Sequence, residues 1–165
     1  MVKIVQISAA NLEAYRGVRL AALRHDPTAF SSTYEFESRM SEPEWSRRLG
    51  LWDGLRGVGY LAFDEDLACG LIGAFLDQNE PASVHVVSMW VAPCSRRSGV
   101  GKELMAQVGR WAKDRGACEL RLWVTEMNEG ARRFYERLGF VPTGATEPYP
   151  NDPAASQHEM MARIA

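Results

Sequence analysis

Cysteine is scarce in this chain and carries no pattern. Cys69, Cys94 and Cys118 are the only three, and no two stand at a C-x-x-C or other metal-ligand spacing. A disulfide framework and a thiolate metal centre are excluded as organising principles. No metal is expected, and the simple reading is reduced thiols in a cytoplasmic protein. Long apolar runs are absent too: none approaches the roughly 18 residues of a membrane span, so no membrane partner is expected. Residues 1–10 lack the charged start and long apolar stretch of a secretion signal. An excess of one charge is also missing. Lys and Arg number 19 against 21 Asp and Glu, for a net charge of −2. Nothing global draws the chain to nucleic acid or to an anionic surface. Finally, the segment Ser83–Val91 contains neither Asp nor Glu.

What is present is an ordinary globular composition over 165 residues, enough for one domain, 1–165, with a sizeable core. No repeat, low-complexity tract or linker interrupts it. Residues 2–7 read as a strand. Asn11 caps a helix running to about Arg24, with Leu12, Tyr15, Val18 (or Arg19), Ala22 and Leu23 at helical spacing. Asp26 to Glu37, with Pro27, reads as irregular. Ser41 and Glu44 form a capping box for a helix to about Leu49. Segments 57–63 and 67–77 read as a hairpin turning at Asp64-Glu65-Asp66. A strand over 83–92, a helix over 99–115, a strand over 117–126 and a short helix over 128–138 follow. Segments 139–146 and 157–164 complete the sheet, with Pro148, Pro150 and Pro153 marking a loop between them. The order βααβββαβαββ suits a mixed α/β sheet with helices on both faces.

The chemistry begins at Arg96-Arg97-Ser98-Gly99-Val100-Gly101, set between an apolar strand and an amphipathic helix whose face carries Val100, Leu104, Val108, Trp111 and Ala112. The start of a helix offers unpaired N–H groups and the positive end of the helix dipole, which together favour an anion. Gly99 and Gly101 are expected to let backbone approach a phosphate, while Arg96, Arg97 and Lys102 add positive charge. A tight turn uses the same residues, so the motif alone is weak. A dinucleotide fingerprint would need a third glycine where Leu104 stands. A P-loop would need Gly at Arg96 and Ser or Thr at Glu103.

A second block follows the next strand: Asn128-Glu129-Gly130-Ala131-Arg132-Arg133-Phe134-Tyr135-Glu136-Arg137-Leu138-Gly139-Phe140. Asn128 and Tyr135 stand about two helical turns apart and share a face. The two blocks, R-x-x-G-x-G and N-x-x-A-x-x-F-Y-x-x-x-G-F, in this order and spacing, resemble the GCN5-related N-acetyltransferase (GNAT) superfamily. They cover about Val84 to Phe140. The resemblance implies a single domain whose mostly antiparallel mixed sheet splays between two parallel strands. It implies acetyl-CoA as co-substrate, its pyrophosphate on the amides of Arg96, Arg97, Ser98, Gly99, Val100, Gly101 and Lys102. It implies that the pantetheine arm lies along Met89, Trp90 and Val91, and that the Val91 amide polarises the thioester. Tyr135 aligns with the family tyrosine that often protonates the leaving thiolate, though an apolar helix face also accommodates a core tyrosine. Asn128 is a further candidate for contact with the pantetheine or a neighbouring loop.

Two features depart from the family. The glutamate that many members carry on the 83–91 strand is missing. His85 is a candidate base, with an ordinary pKa near 6.5, and equally a structural histidine. Arg97 stands where glycine is common. The replacement matters little if that position has negative φ. Members build the acceptor side between the first strand and the hairpin, here around Tyr34, Glu35 and Glu37, with Tyr149 opposite. These residues suit a cationic or polar small-molecule amine, and they also suit a surface segment packed on the sheet. Two alternatives stay open: a protein or peptide N-terminal acetyltransferase, and a non-catalytic acyl-CoA-binding regulatory module. The 140–165 segment offers a candidate edge for a homodimer.

Overall fold

A computed structural model describes residues 1–165. Seven strands form one sheet in the order β1-β2-β3-β4-β5-β7-β6. Strands β1 (Val2–Gln6), β2 (Gly57–Asp64), β3 (Leu67–Leu76) and β4 (Ser83–Val91) pair antiparallel in succession. β4 then pairs parallel with β5 (Glu119–Thr125), and an antiparallel hairpin, β6 (Val141–Tyr149) and β7 (Asp152–Arg163), closes the far side. Helices α1 (Leu12–His25), α2 (Tyr34–Ser38) and α3 (Glu42–Arg48) precede β2. α4 (Val100–Asp114) and α5 (Glu129–Arg137) flank β5 in sequence. No helix is long and apolar enough to cross a membrane.

The sheet separates two cores. On one face Val84, Val86, Leu120, Leu122 and Val124 pack with Leu104, Val108, Trp111 and Tyr135 of α4 and α5. On the other, Leu61, Leu71 and Trp90 pack with Tyr15, Val18, Leu23 and Trp45 of α1 and α3. The strand period of two assigns alternate residues to the two faces, and in β4 that rule breaks once. Val84 and Val86 belong to the first core and Trp90 to the second, while Met89 and Val91 pack against the first. A bulge accounts for the change of phase. The pairing Gly73↔Val87 is followed by Leu71↔Trp90, so Ser88 and Met89 together face Ile72, and Ser88 takes φ +58. An extra residue in a strand reverses which side chains point inward beyond it.

Two expectations need correction. Residues 26–37 are not irregular throughout. Pro27–Ala29 form a 3-10 turn, and Thr33 caps α2 by accepting from the Phe36 N–H at 3.2 Å. A five-residue helix is too short to show periodicity. The proline-marked loop is also much shorter, because β6 runs through Pro148 to Tyr149 and β7 starts at Asp152. Proline is tolerated there because β6 is an edge strand, where a missing N–H leaves no ladder partner unsatisfied. Pro142, Pro148 and Gly144 at φ +90 also blunt that edge for further pairing.

Leu104 anchors α4 and is fully buried. Leu104→Ala is expected to cost about 2–5 kcal/mol in urea unfolding. A loss under about 1 kcal/mol would mean that α4 is held elsewhere.

Candidate active site

β4 and β5 share only three registered pairs, Ser83↔Glu119, Val84↔Leu120 and His85↔Arg121. Beyond them the strands part, β5 remaining paired with β7 as far as Thr125↔Gln157. The gap is a narrow cavity of about 60 Å³ lined by residues including Val86 to Met89, Leu122 to Thr125, Asn128, Ala131 and Tyr135. Lining residues come from both faces of each strand, so the slot runs through the sheet. Successive amides of a strand point to opposite edges. The Ala92 N–H donates to the Cys69 carbonyl at 2.8 Å, on the β3 side. The Val91 N–H therefore points into the gap, where β5 no longer meets it.

The loop before α4 supplies the second element. No protein acceptor takes the amide N–H of Arg97, Ser98, Gly99, Val100, Gly101 or Lys102; the Glu103 N–H is the first to bond back, to Gly99 O at 3.0 Å. Six successive free donors stand at the positive end of a 15-residue helix, an arrangement that favours an anion. The Arg97 and Lys102 side chains are in no ion pair. The glycines have separate causes. Gly99 has φ +89 with open space around it, so its freedom is conformational. Gly101 is buried, and an added Cβ would lie 2.9 Å from Phe134 Cζ and 3.0 Å from Met89 Cε. Its smallness serves the packing of α4 on α5 and β4, which corrects the expectation that it clears a path for phosphate. Arg97 has φ +63, so the condition under which losing glycine there costs nothing is not met.

Arg96 is not aimed at an anion. Its Nε donates to the Val91 carbonyl at 2.8 Å and its guanidinium to Asp26 Oδ2 at 2.7 Å. The same carboxylate accepts from Trp90 Nε1 at 2.7 Å. Burial pushes the Asp26 carboxyl up, but the Trp90, Arg96 and His25 bonds outweigh it and hold the group below its ordinary value. Trp90 accordingly turns its side chain away from the slot, leaving only backbone there.

Tyr135 is 8% exposed and stands in the slot with no hydrogen bond from its hydroxyl to the protein. Burial raises its pKa well above the free phenol, so it keeps its proton at any ordinary pH. Asn128 lines the same slot. Its Oδ1 caps α5 by accepting from the Ala131 N–H at 3.2 Å, which leaves its amide nitrogen for other contacts.

His85 is not brought to Tyr135. It lines neither cavity described here, stacks on Phe75 at 5.3 Å between centroids and places Nε2 2.6 Å from Asp77 Oδ2. A strand position three residues before the bulge, paired across to β3, is the reason, and the candidate base is corrected to a partner of Asp77. Glu37 is also removed from the acceptor set. It is fully buried and ion-paired to Arg19 and Arg48, since the first turn of α2 points it under the sheet rather than outward. Tyr34 and Glu35 do border a larger cavity of about 500 Å³, with Thr28, Thr33, Tyr149 and Asp152. Thr125 Oγ1 donates to the Thr28 carbonyl at 3.0 Å between this cavity and the slot. Tyr149 and Asn151 tie residues 27–32 to the β6–β7 turn through the Phe30 carbonyl.

Sequence reasoning missed Arg19, Asp26 and Thr125 as parts of the site's frame. Arg19 did leave a signal, as a cation on the apolar face of α1 that burial obliges to find a partner. Asp26 and Thr125 left none, because the partners that tie them to the site, Trp90 and Arg96 for Asp26 and Thr28 for Thr125, are more than 60 residues away in the chain.

Two substitutions separate the glycines. Gly99→Ala meets no neighbour but must hold a left-handed backbone, for about 1–2 kcal/mol lost. Gly101→Val is expected to cost more, by displacing Phe134 and Met89. Equal losses in chemical denaturation would contradict the assignment. At the other end of β4, Asp77 sits at about 2, held down first by the His85 bond and then by the Glu80 and Asn79 amides. A lowered carboxylate stabilises the fold fully above its unfolded pKa, near 4, and loses that share as pH falls through the folded value. Asp77→Asn should therefore flatten the decline of stability between about pH 4 and 2. Parallel acid limbs in the two proteins would remove the bond from the account.

Comparison with known proteins bears on this geometry. The model of the Acetyltransferase (GNAT) family matches residues 20–140. An uncharacterized N-acetyltransferase of Methanocaldococcus jannaschii is 37% identical over 83 residues, 50% of this chain and 34% of that one. The streptothricin acetyltransferase of Streptomyces lavendulae is 35% identical over 81 residues, 49% of this chain and 42% of that one. The matched part thus spans less than half the length of these relatives. In fold, the chain is similar to the PaiA N-acetyltransferase of Thermoplasma acidophilum, solved in complex with coenzyme A, with a TM-score of 0.74, 17% identity and 99% of both chains covered. With its splayed β4–β5 pair, free-amide loop and family match over most of its length, the chain belongs to the GNAT family of acetyltransferases.

Proposed function

We propose that this chain is an acetyl-CoA-dependent N-acetyltransferase that passes an acetyl group directly to a primary amine of a small molecule. One observation carries the reading. Six free amides lie at one end of a strand gap, and a protonated, unbonded tyrosine stands within that gap. A ligand with a pyrophosphate at one end and an extended amide-containing arm satisfies both parts. Coenzyme A has that form, and a GNAT neighbour of similar fold is solved with it.

Acetyl-CoA supplies an activated acyl group on sulfur. The amides from Arg97 to Lys102 hold its pyrophosphate, with Arg97 and Lys102 adding charge. The freed edge of β4 pairs with the pantetheine arm as a further strand would. The Val91 N–H donates to the thioester oxygen, where negative charge grows as an amine attacks. Tyr135 holds a proton for the departing sulfur. The amine attacks as the free base and gives up its own proton to solvent. No carboxylate of β4 takes it, and His85 is engaged elsewhere.

The acceptor belongs in the larger cavity, whose 500 Å³ falls in the range of small-molecule sites. Glu35, Asp152, Tyr34 and the hydroxyls of Thr28 and Thr33 favour a polar, cationic amine. A cavity of this volume suits a small-molecule acceptor. The Tyr135 hydroxyl, placed in the slot without a protein partner, supports turnover over a purely regulatory module.

Release of free thiol from acetyl-CoA across amine antibiotics, polyamines, amino acids and short peptides tests the assignment. Turnover is expected with a small cationic amine. Turnover with peptides alone would transfer the reading to protein N-termini. With an active acceptor, Tyr135→Phe is expected to lower kcat about 10²-fold or more and leave acetyl-CoA affinity nearly unchanged. An unchanged kcat would return Tyr135 to the core.

A further inference from the structure

Ser88 is where β4 breaks step, and it does so in a left-handed conformation, φ +58, that side-chain-bearing residues avoid. Something outside the strand must hold it there. Its Oγ accepts a hydrogen bond from the Arg19 guanidinium, NH1, at 3.0 Å. Arg19 lies among the buried residues of α1 at 8% exposure. It cannot swing. Nε and NH2 grip the two oxygens of Glu37 at 3.0 and 2.9 Å, which fixes the plane of the guanidinium and hence the direction of NH1. Glu37 is fixed in turn by Arg48 NH1 at 2.5 Å. The Phe30 ring lies 4.9 Å from the Arg19 carbon. Burial raises the Glu37 carboxyl, but the Arg19 bond and charge outweigh it and keep the group ionised below its usual range.

A buried ion pair gives little net stability compared with apolar side chains of similar volume. This one also donates to the strand residue that turns β4 out of register. We propose that the Arg19–Glu37 pair positions the bulge. By holding Ser88 left-handed it aims the β4 edge beyond, from Met89 to the Val91 amide, at the thioester end of the co-substrate. Arg19 and Glu37 touch no substrate and act through Ser88. The proposal rests on the placement of acetyl-CoA given above.

The test separates the two ends of the ligand. Adenosine 3′,5′-diphosphate needs only the phosphate loop, whereas acetyl-CoA also needs the β4 edge. By calorimetry, Arg19→Met is expected to weaken acetyl-CoA binding about tenfold or more and to leave the nucleotide within about twofold. Glycine adopts positive φ without help, so Ser88→Gly in the Arg19→Met background is expected to restore most of the lost affinity. A merely structural pillar between α1 and α2 predicts no such rescue. The proposal is overturned if Arg19→Met leaves both affinities unchanged, weakens both alike, or is not rescued by glycine. Should Arg19→Met fail to fold, Ser88→Ala removes only the acceptor, and its acetyl-CoA affinity is expected to fall while nucleotide binding holds. Unchanged acetyl-CoA affinity in that variant overturns the proposal equally. If the parent binds acetyl-CoA no more tightly than the nucleotide, the β4 placement itself fails and the proposal with it. That outcome differs from one in which parent and variants all discriminate between the ligands.

Discussion

The parting of β4 from β5 after three shared pairs is the constraint on which the rest depends. Parallel strands that stay paired satisfy each other's N–H and C=O groups, and a strand that leaves early gives that up. Unpaired backbone groups away from water are costly unless something else bonds them. The sheet confines the cost to one gap, keeps β5 satisfied through β7, and opens the gap beside the start of α4. The slot and the free-amide loop are adjacent because β4 runs directly into the loop that begins α4. One chain excursion thus sets both the slot and the free-amide loop.

Backbone strain follows the same map. Three residues with side chains have positive φ: Glu65, Ser88 and Arg97. Glu65 lies in the tight turn between β2 and β3, where such angles are routine. The other two bracket the stretch that carries the site, Ser88 at the bulge and Arg97 at the head of the free-amide loop. Strain held at two points nine residues apart persists only where the surroundings over-determine it. At Ser88 the surroundings are the Arg19–Glu37–Arg48 cluster. Near Arg97 they include the Arg96 side chain, pinned to the Val91 carbonyl and to Asp26.

Much of this was legible from local pattern. The amphipathic stripe of α4, the capping box at Ser41 and Glu44, and the Asp64-Glu65-Asp66 turn between the apolar runs of β2 and β3 each announce an element through neighbouring residues, and each element formed close to its expected bounds. The loop Arg97–Lys102 was legible because its free donors belong to the backbone at a helix start. What local pattern does not carry is the direction of a charged side chain. Glu35 and Glu37 look alike in sequence, two positions apart. On a helix two positions is about 200° of rotation, so one borders the large cavity and the other faces the core. The short α2 that makes this difference is too brief to see in advance. His85 misled for a related reason: an imidazole suits a base, but its place is before the bulge, paired across to β3 and bonded to Asp77.

Asp26 shows why the slot and the larger cavity are not geometrically independent. It follows α1 directly and opens the segment whose Pro27 and Thr28 border the large cavity and whose Ala29 borders the slot. Its carboxylate also holds Trp90 of β4 and Arg96 of the loop before α4. A carboxylate beside a helix C-terminus faces an unfavourable dipole, so the arrangement stands only because cations and an indole N–H surround it. Removing any of these donors leaves the charge less compensated and frees one wall of the site from another. The wall of the larger cavity, the edge of β4 and the free-amide loop therefore meet at one ionised group, which fixes their relative positions on the same face of the sheet as the Arg19 cluster.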